Sequence, residues 1–389
     1  MKNALVYFTG ISRTAGHIGG SEILLFLIIR ELQYRGYAVT VALQSGGDIE
    51  QSASEYGIDI DADKVQVVYL DECRGLLYWL NRHLKFLWKW RLRRLGPKFD
   101  VCISCANPVD FGRSGIHFVY MLNLDALFTA YYWRDCQLGG NRIWNWLLFA
   151  RDYLAACIAG VRMPSRIVRD GKEVILANSK YVKECIESYY KCYVHDEFYP
   201  PTVFETYQLP MQDGYDIACL GRISFEKRIL EIVQIVSRAR QISGINFKLR
   251  LAGHCPDSDY GHNVRALADK NPWIKLEGTI VGKAKAEYLA SCRFAIHGCK
   301  VEAFGISVTE YLKAGLVPIV PKAGGSSEVL GLADLIYNTD EEAVDILVKL
   351  ATDDGFYRKC RAQCMERGNE FSTAAYMSRQ RELLDACRI

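Results

Sequence analysis

The 389-residue sequence predicts an α/β protein of two units, each a parallel sheet wound with helices. Two observations carry that expectation. In both halves, short apolar runs end near glycine and give way to helical stretches, the pattern of strands whose loops gather at one sheet edge. The length, with 50% hydrophobic and 24% charged residues, is an ordinary globular balance that suits more than one domain.

In the first half a strand over 4–9 is followed by a glycine-rich loop over 10–20, a helix over 21–35 and a second strand over 38–43. Gly16, Gly19 and Gly20 imitate a dinucleotide fingerprint. The loop is too long for one, and the second strand runs into Gln44 where an acid would hold a ribose. Further strands are expected over 100–104, 115–121 and 174–179. Tyr199-Pro200-Pro201 then stiffens a linker that cannot pair in a sheet, and the second half starts near Tyr215.

That second half holds most of the chemistry. A strand over 216–220 leads through Gly221-Arg222 to Glu226-Lys227-Arg228, a loop able to aim two cations, Arg222 and Lys227, at one anion. Strands over 249–253 and 294–298 follow, the first ending in Gly253. The segment Glu302-Ala-Phe304-Gly305-Ile306-Ser307-Val-Thr-Glu310 then places two carboxylates eight residues apart around a helix start. The helix is expected over 306–314, with Gly315 as a left-handed cap. First-turn N–H groups near Gly305, Ile306 and Ser307 would seat phosphate oxygens, and each acid is free to accept sugar hydroxyls on either side. A strand over 316–321 and the loop Gly324-Gly325-Ser326-Ser327-Glu328 complete the set.

Gly-Arg…Lys, Glu-x7-Glu and Gly-Gly-x-x-Glu together make residues 216–330 resemble the C-terminal domain of the retaining glycosyltransferases of family four, the group 1 glycosyltransferases. The resemblance implies the GT-B fold: two Rossmann-like domains with parallel sheets facing across a cleft. Residues 1–200, completed by 371–389, would form an acceptor-binding domain, and 201–370 a nucleotide-sugar-binding domain. Gly221, Gly253, Phe304, Gly305, Ile306, Ser307 and Glu310 would bind the donor. Gly19 and Gly20 match a family Gly-Gly-x-Glu beside the sugar diphosphate. The family also places a histidine near the end of the 115–121 strand, where His117 or Tyr120 would face the donor sugar. Three residues apart, they fall on opposite strand faces.

The implied reaction is glycosyl transfer with retention. Arg222 and Lys227 would stabilise the leaving diphosphate, while Glu302 and Glu310 accept sugar and ribose hydroxyls. No metal or other cofactor is expected, and no Asp-x-Asp in strand-loop context is present. The partners implied are a nucleotide-sugar and a glycan or polyprenyl-linked acceptor. Base selection falls to 253–255 and 277–281, with UDP, GDP and ADP all open. Tyr-Pro-Pro and Phe-Gly-Ile are similar to pieces of mannosyltransferases that extend lipid-linked glycans. A GT-B epimerase would convert the donor with no acceptor present. A nucleotide-sugar-binding protein would release no nucleoside diphosphate.

Charge and cysteine content bound the setting. Residues 74–98 carry eight Lys/Arg and no acid, interleaved with Trp79, Trp88 and Trp90, against a net charge of +3 for the whole chain. Such a segment either lies in an anionic headgroup layer or packs an apolar stripe on the first sheet with its charges solvated. No nucleic-acid motif accompanies it. The most apolar stretch, 143–163, is broken by Arg151 and Asp152, so no membrane span is expected. Met1-Lys2-Asn3 runs straight into a strand, so no signal peptide is expected. The fourteen cysteines, including Cys102-x-x-Cys105, are read as reduced core residues of a cytoplasmic protein.

Overall fold

The computed structural model describes residues 2–11, 20–72, 81, 85–120, 123–134, 141–203 and 214–389. Gly19 and most of the glycine-rich loop lie outside them, as does the start of the basic run. The chain forms two compact units, Met1–Pro201 with Tyr376–Ile389, and Thr202–Ala375.

The first unit is a seven-stranded parallel sheet of β1 (Asn3–Gly10), β2 (Ala38–Ser45), β3 (Val65–Tyr69), β4 (Val101–Ser104), β5 (Ile116–Val119), β6 (Val174–Ala177) and β7 (Asp196–Glu197). Its order is β3-β2-β1-β4-β5-β6-β7. The central strands are buried on both faces, which is why they read as unbroken apolar runs. The edge strands β3 and β7 carry mixed polarity and escape a search for such runs. The described helices are α1 (Gly20–Tyr34), α2 (Ile49–Glu55), α3 (Leu87–Leu95), α4 (Ala126–Tyr132), α5 (Arg142–Ala159), α6 (Pro164–Asp170) and α7 (Lys180–Tyr190).

The basic run divides its duties. Within α3, Leu87 and Leu92 are buried, and Trp88 stacks on Tyr7 of β1 at 5.6 Å. Arg91 donates to the carbonyls of Leu70 and Glu72, and Arg93 pairs with Asp110. This part of the run therefore packs on the sheet. Lys85, Trp90, Arg94 and Lys98 point to solvent.

The second unit repeats the winding on a smaller scale. It contains β8 (Asp216–Leu220), β9 (Lys248–Ala252), β10 (Ile274–Gly278), β11 (Phe294–Ile296), β12 (Val317–Pro321) and β13 (Ile336–Tyr337), in the order β10-β9-β8-β11-β12-β13 and parallel throughout. Its helices are α8 (Ile229–Ser243), α9 (Asp259–Lys270), α10 (Gly282–Ala290), α11 (Ile306–Lys313), α12 (Gly325–Leu330), α13 (Asp340–Thr352) and α14 (Asp354–Asn369). The order reverses between β8 and β11, where only Ile217 and Ala218 pair with Phe294 and Ala295. Beyond that point the Leu220 N–H donates to the Tyr311 hydroxyl of α11 at 2.6 Å, so the carboxyl end of the sheet opens there. An opening at such a reversal is where doubly wound sheets take ligands.

The final helix, α15 (Thr373–Ala386), joins the first unit from Tyr376 onward. Arg35 reaches Asp385 and the Ile389 carbonyl, both at 2.7 Å. Arg379 pairs with Asp196 at 2.8 Å, and Tyr376 packs edge-on against Phe198.

Candidate active site

The loops at the carboxyl edge of the second sheet approach so closely that glycine is required. A Cβ on Gly253, at φ +150°, would stand 2.0 Å from the Gly221 carbonyl oxygen, so the loops after β8 and β9 cross backbone on backbone. A Cβ on Gly298, just past β11, would meet the Lys227 carbonyl oxygen at 2.6 Å. That contact seats the cationic loop against the end of β11. After a single turn over Phe225–Lys227, Arg228 adopts left-handed backbone at φ +54° and is tied by two hydrogen bonds, 2.9 and 3.0 Å, to Asp340.

This bend aims Lys227 at Glu302. Its ammonium donates to Glu302 Oε2, and the same oxygen lies 3.3 Å from His297 Nε2. Burial alone would raise the Glu302 pKa. Lys227 and His297 more than offset it, holding the carboxyl well below the ordinary range. Burial pulls the Lys227 pKa down, but Glu302 outweighs it and the ammonium is held above its usual value. His297, buried at the end of β11, is lowered by burial despite the nearby carboxylate, which keeps it neutral at pH 7. Its Nδ1 lies 3.5 Å from Ser307 Oγ in the first turn of α11.

Arg222 takes a different position. It is 65% exposed and pairs with Glu226 at 2.9 Å rather than with the acids of the 302–310 segment. Gly305, at φ +101°, precedes α11, whose first-turn N–H groups open beside Glu302. Phe304 is buried edge-on against Phe371 and anchors that loop. Glu310 is buried one turn further on and accepts from Lys285 of α10 at 2.5 Å. The helix ends at Lys313, and Gly315 has φ +75°. The glycine loop before α12 lies directly on the 302–304 segment, with the Gly325 N–H donating to the Glu302 carbonyl at 2.7 Å.

Two residues of this cluster, His297 and Lys285, were not singled out from the sequence. A histidine closing a strand immediately before Gly298 was the available signal for the first. Nothing local marks Lys285, which sits 25 positions before Glu310. The two segments expected to select the base are neighbours: the Gly253 N–H donates to the Gly278 carbonyl at 2.7 Å. Glu277 is already paired with Arg250 at 2.6 Å and Lys275 at 2.9 Å.

His297, Cys299 and Glu302 bring ligand atoms within 4.8 Å of one another, the nearest approach to a metal site among the described residues. The Lys227 ammonium already lies on the carboxylate of that trio, so a divalent cation would first have to displace a buried positive charge.

In the first unit, Glu22 is buried and accepts from the Tyr56 hydroxyl at 3.1 Å, and Gly20 opens α1. His117 is not placed for donor contact. It is fully buried near the start of β5, stacked on Phe111, with Nε2 3.3 Å from Glu173 and Nδ1 3.5 Å from the Val109 N–H. Tyr120, just past the carboxyl end of β5, stacks on Phe118, and its hydroxyl is buried. Cys102 and Cys105 are buried; burial lifts the Cys102 thiol to about 12 and the Cys105 thiol further, so both stay protonated. None of the twelve described cysteines forms a disulfide.

Residues 208–371, nearly the whole second unit, match the family described as Glycosyl transferases group 1. The second unit belongs to this family. A segment of 117 residues is 30% identical to a Candida albicans GDP-Man:Man(3)GlcNAc(2)-PP-Dol alpha-1,2-mannosyltransferase, covering 28% of this chain and 18% of that relative. The match thus spans less than a fifth of the relative's length. Among solved structures, Anabaena HepE in complex with UDP and glucose superposes with a TM-score of 0.69 at 13% identity, covering 99% of this chain and 100% of that one. Sucrose-phosphate synthase from Thermosynechococcus elongatus gives 0.67 at 14% identity, covering 99% of each chain. At such identities the likeness establishes the fold, which is GT-B.

Proposed function

We propose that this group 1 glycosyltransferase moves a sugar from a nucleoside-diphosphate sugar to a glycan or lipid-linked glycan, with retention and without a metal. The observation that carries the reading is the meeting of Lys227, Glu302 and the α11 N-terminus at the open edge of the second sheet. As the sugar–phosphate bond breaks, negative charge grows on the diphosphate and positive charge on the anomeric carbon. Lys227 has three N–H donors, of which Glu302 takes one, so the others are available to diphosphate oxygens. Arg222, close by on the same loop and exposed, would swing from Glu226 to the same anion. The N–H groups of Ile306 and Ser307 add a preorganised positive field.

Glu302 accepts from Lys227 and faces His297 through Oε2, which leaves Oε1 to hold donor-sugar hydroxyls. Glu310, held by Lys285 through Oε1, would accept ribose hydroxyls through its other oxygen. Retention would follow from attack on the face the phosphate leaves, with the departing phosphate taking the acceptor proton. The acceptor would bind the first unit, and the exposed cations of the 74–98 run would face an anionic membrane carrying a polyprenyl-linked acceptor.

Donor identity is tested by thermal shift and by nucleoside-diphosphate release. GDP-mannose, suggested by the Candida relative, comes first, and UDP-glucose, suggested by the HepE ligand, second. A bound donor should raise the Tm by mass action and release its diphosphate only when acceptor is present. Turnover without acceptor would indicate an epimerase, and binding without release under any acceptor would indicate a binding protein. Activity is expected to survive EDTA. A complete loss reversed by magnesium would overturn the assignment of the leaving-group charge to Lys227 and Arg222.

A further inference from the structure

Helix α5 is built inside out. Its covered side presents Asn145, Phe149, Asp152, Ala155, Ala156 and Ala159, mostly small or polar. Its outer side presents Ile143, Trp144, Trp146, Leu147, Leu154 and Ile158, each 52–71% exposed. Among the described residues sixteen large apolar side chains are exposed, and eight of them lie on this one helix. Single exposed apolar residues need no explanation, but a contiguous stripe of this size marks a surface that something covers.

The ends of the helix are fixed. Asn141 Oδ1 accepts the Ile143 N–H at 2.8 Å, and Gly160, at φ +63°, closes the last turn. Eighteen residues make a rod of about 27 Å, and no described helix is long and apolar enough to cross a membrane. The charged pair at its middle, Arg151 and Asp152, is internally satisfied at 2.8 Å.

The surroundings indicate what covers the stripe. Helix α3 packs beside α5, with Trp88, Lys89 and Leu92 sharing a small cavity with Ala156. From α3 and its flanks Lys85, Arg94 and Lys98 are exposed together with Trp90, and Arg142 is exposed at the start of α5. No acid occurs from residue 85 to 98. An apolar stripe rich in tryptophan and rimmed by cations is complementary to a bilayer interface with anionic headgroups.

We infer that α5 lies in the plane of an anionic bilayer, its Ile143–Leu147 end and Leu154–Ile158 side inserted among the acyl chains and the α3 cations on the headgroups. The inference deepens the membrane-contact reading above, because it moves the anchor from the basic run to α5. It is tested without any sugar transfer, so its failure and the failure of the glycosyltransferase reading are separable.

The test is co-sedimentation of the full chain with vesicles of phosphatidylcholine alone and of phosphatidylcholine with phosphatidylglycerol. The wild-type chain should partition onto the anionic vesicles. Combined replacement of Ile143, Trp144, Trp146 and Leu147 by serine should reduce that partition roughly 100-fold or more. Lys85→Ala and Arg94→Ala, on exposed side chains that folding does not need, should each reduce it about fivefold and flatten its salt dependence. No partition of the wild-type chain, or equal partition of the serine variant, overturns the inference. A wild-type dimer in sedimentation velocity that the serine variant splits, with no vesicle binding, also overturns it and assigns the stripe to a second copy of the chain.

Discussion

Each unit contains a buried histidine against a carboxylate and a cation, yet the two clusters sit at opposite ends of their sheets. In the second unit His297 closes β11 at the carboxyl edge, facing Glu302 and Lys227 among loops that glycines hold close. In the first unit His117 lies near the start of β5. Glu173, just before β6, faces it and is also bound by Arg162 at 2.7 Å and by the Gly115 N–H at 2.5 Å. Arg162 continues to Asp110, which also pairs with Arg93. Parallel sheets take ligands at their carboxyl edge, so the His297 cluster can meet a substrate while the His117 cluster is a strut between strands. Residue types alone do not separate them; the strand end does.

The largest expected effect breaks the comparison in favour of the second unit. Lys227→Ala should lower kcat on the order of 10²–10³-fold while the protein stays folded, and a fully active variant would remove the diphosphate assignment. Arg222→Ala should act in the same direction, and because Arg222 is exposed it should leave the melting curve unmoved. The reciprocal change, Glu173→Ala, leaves the buried His117 without its carboxylate and takes one of the acids from Arg162. It should cost about 3 kcal/mol of stability in denaturant unfolding with kcat per folded molecule unchanged. A kcat loss there without a stability loss would reverse the roles of the two clusters.

A smaller effect sharpens the second unit internally. Glu310→Gln should raise the donor KM about tenfold with kcat nearly constant, because ribose contact is made equally in ground and transition states. Smaller still is a pH effect on the strut. Burial would raise the Glu173 and Asp110 pKa values, but His117 and Arg162 at Glu173, and Arg162 with backbone N–H groups at Asp110, hold both below their unfolded values. Their stabilisation is therefore complete above the unfolded pKa and is lost as pH falls below about 4. The urea midpoint should drop over that range, and it should drop less in Glu173→Gln.

What could be read from the sequence follows the same division. The α11 start, its glycine end and the Lys227 loop are legible because each is set by neighbours a few residues away. Gly253 was legible as a strand end, although the reason for it, the crossing with Gly221, is tertiary. His297 and Lys285 were missed because their partners are set by packing rather than by spacing. His117 looked like a site residue because the 115–121 run does not reveal that β5 ends at Val119, which leaves His117 at the amino end. The run 143–163 shows in the sequence only as an apolar stretch too broken by Arg151 and Asp152 to span a membrane, and the packing alone shows its large side chains facing outward.

The shared Glu302 oxygen has a consequence for proton traffic. An imidazole kept uncharged beside an ammonium is poised to change state when an anion arrives nearby. A diphosphate close to Lys227 would draw that ammonium's field away and favour imidazolium. Donor capture near neutral pH should then consume a fraction of a proton from solution, visible as a calorimetric heat that varies with the ionisation enthalpy of the buffer.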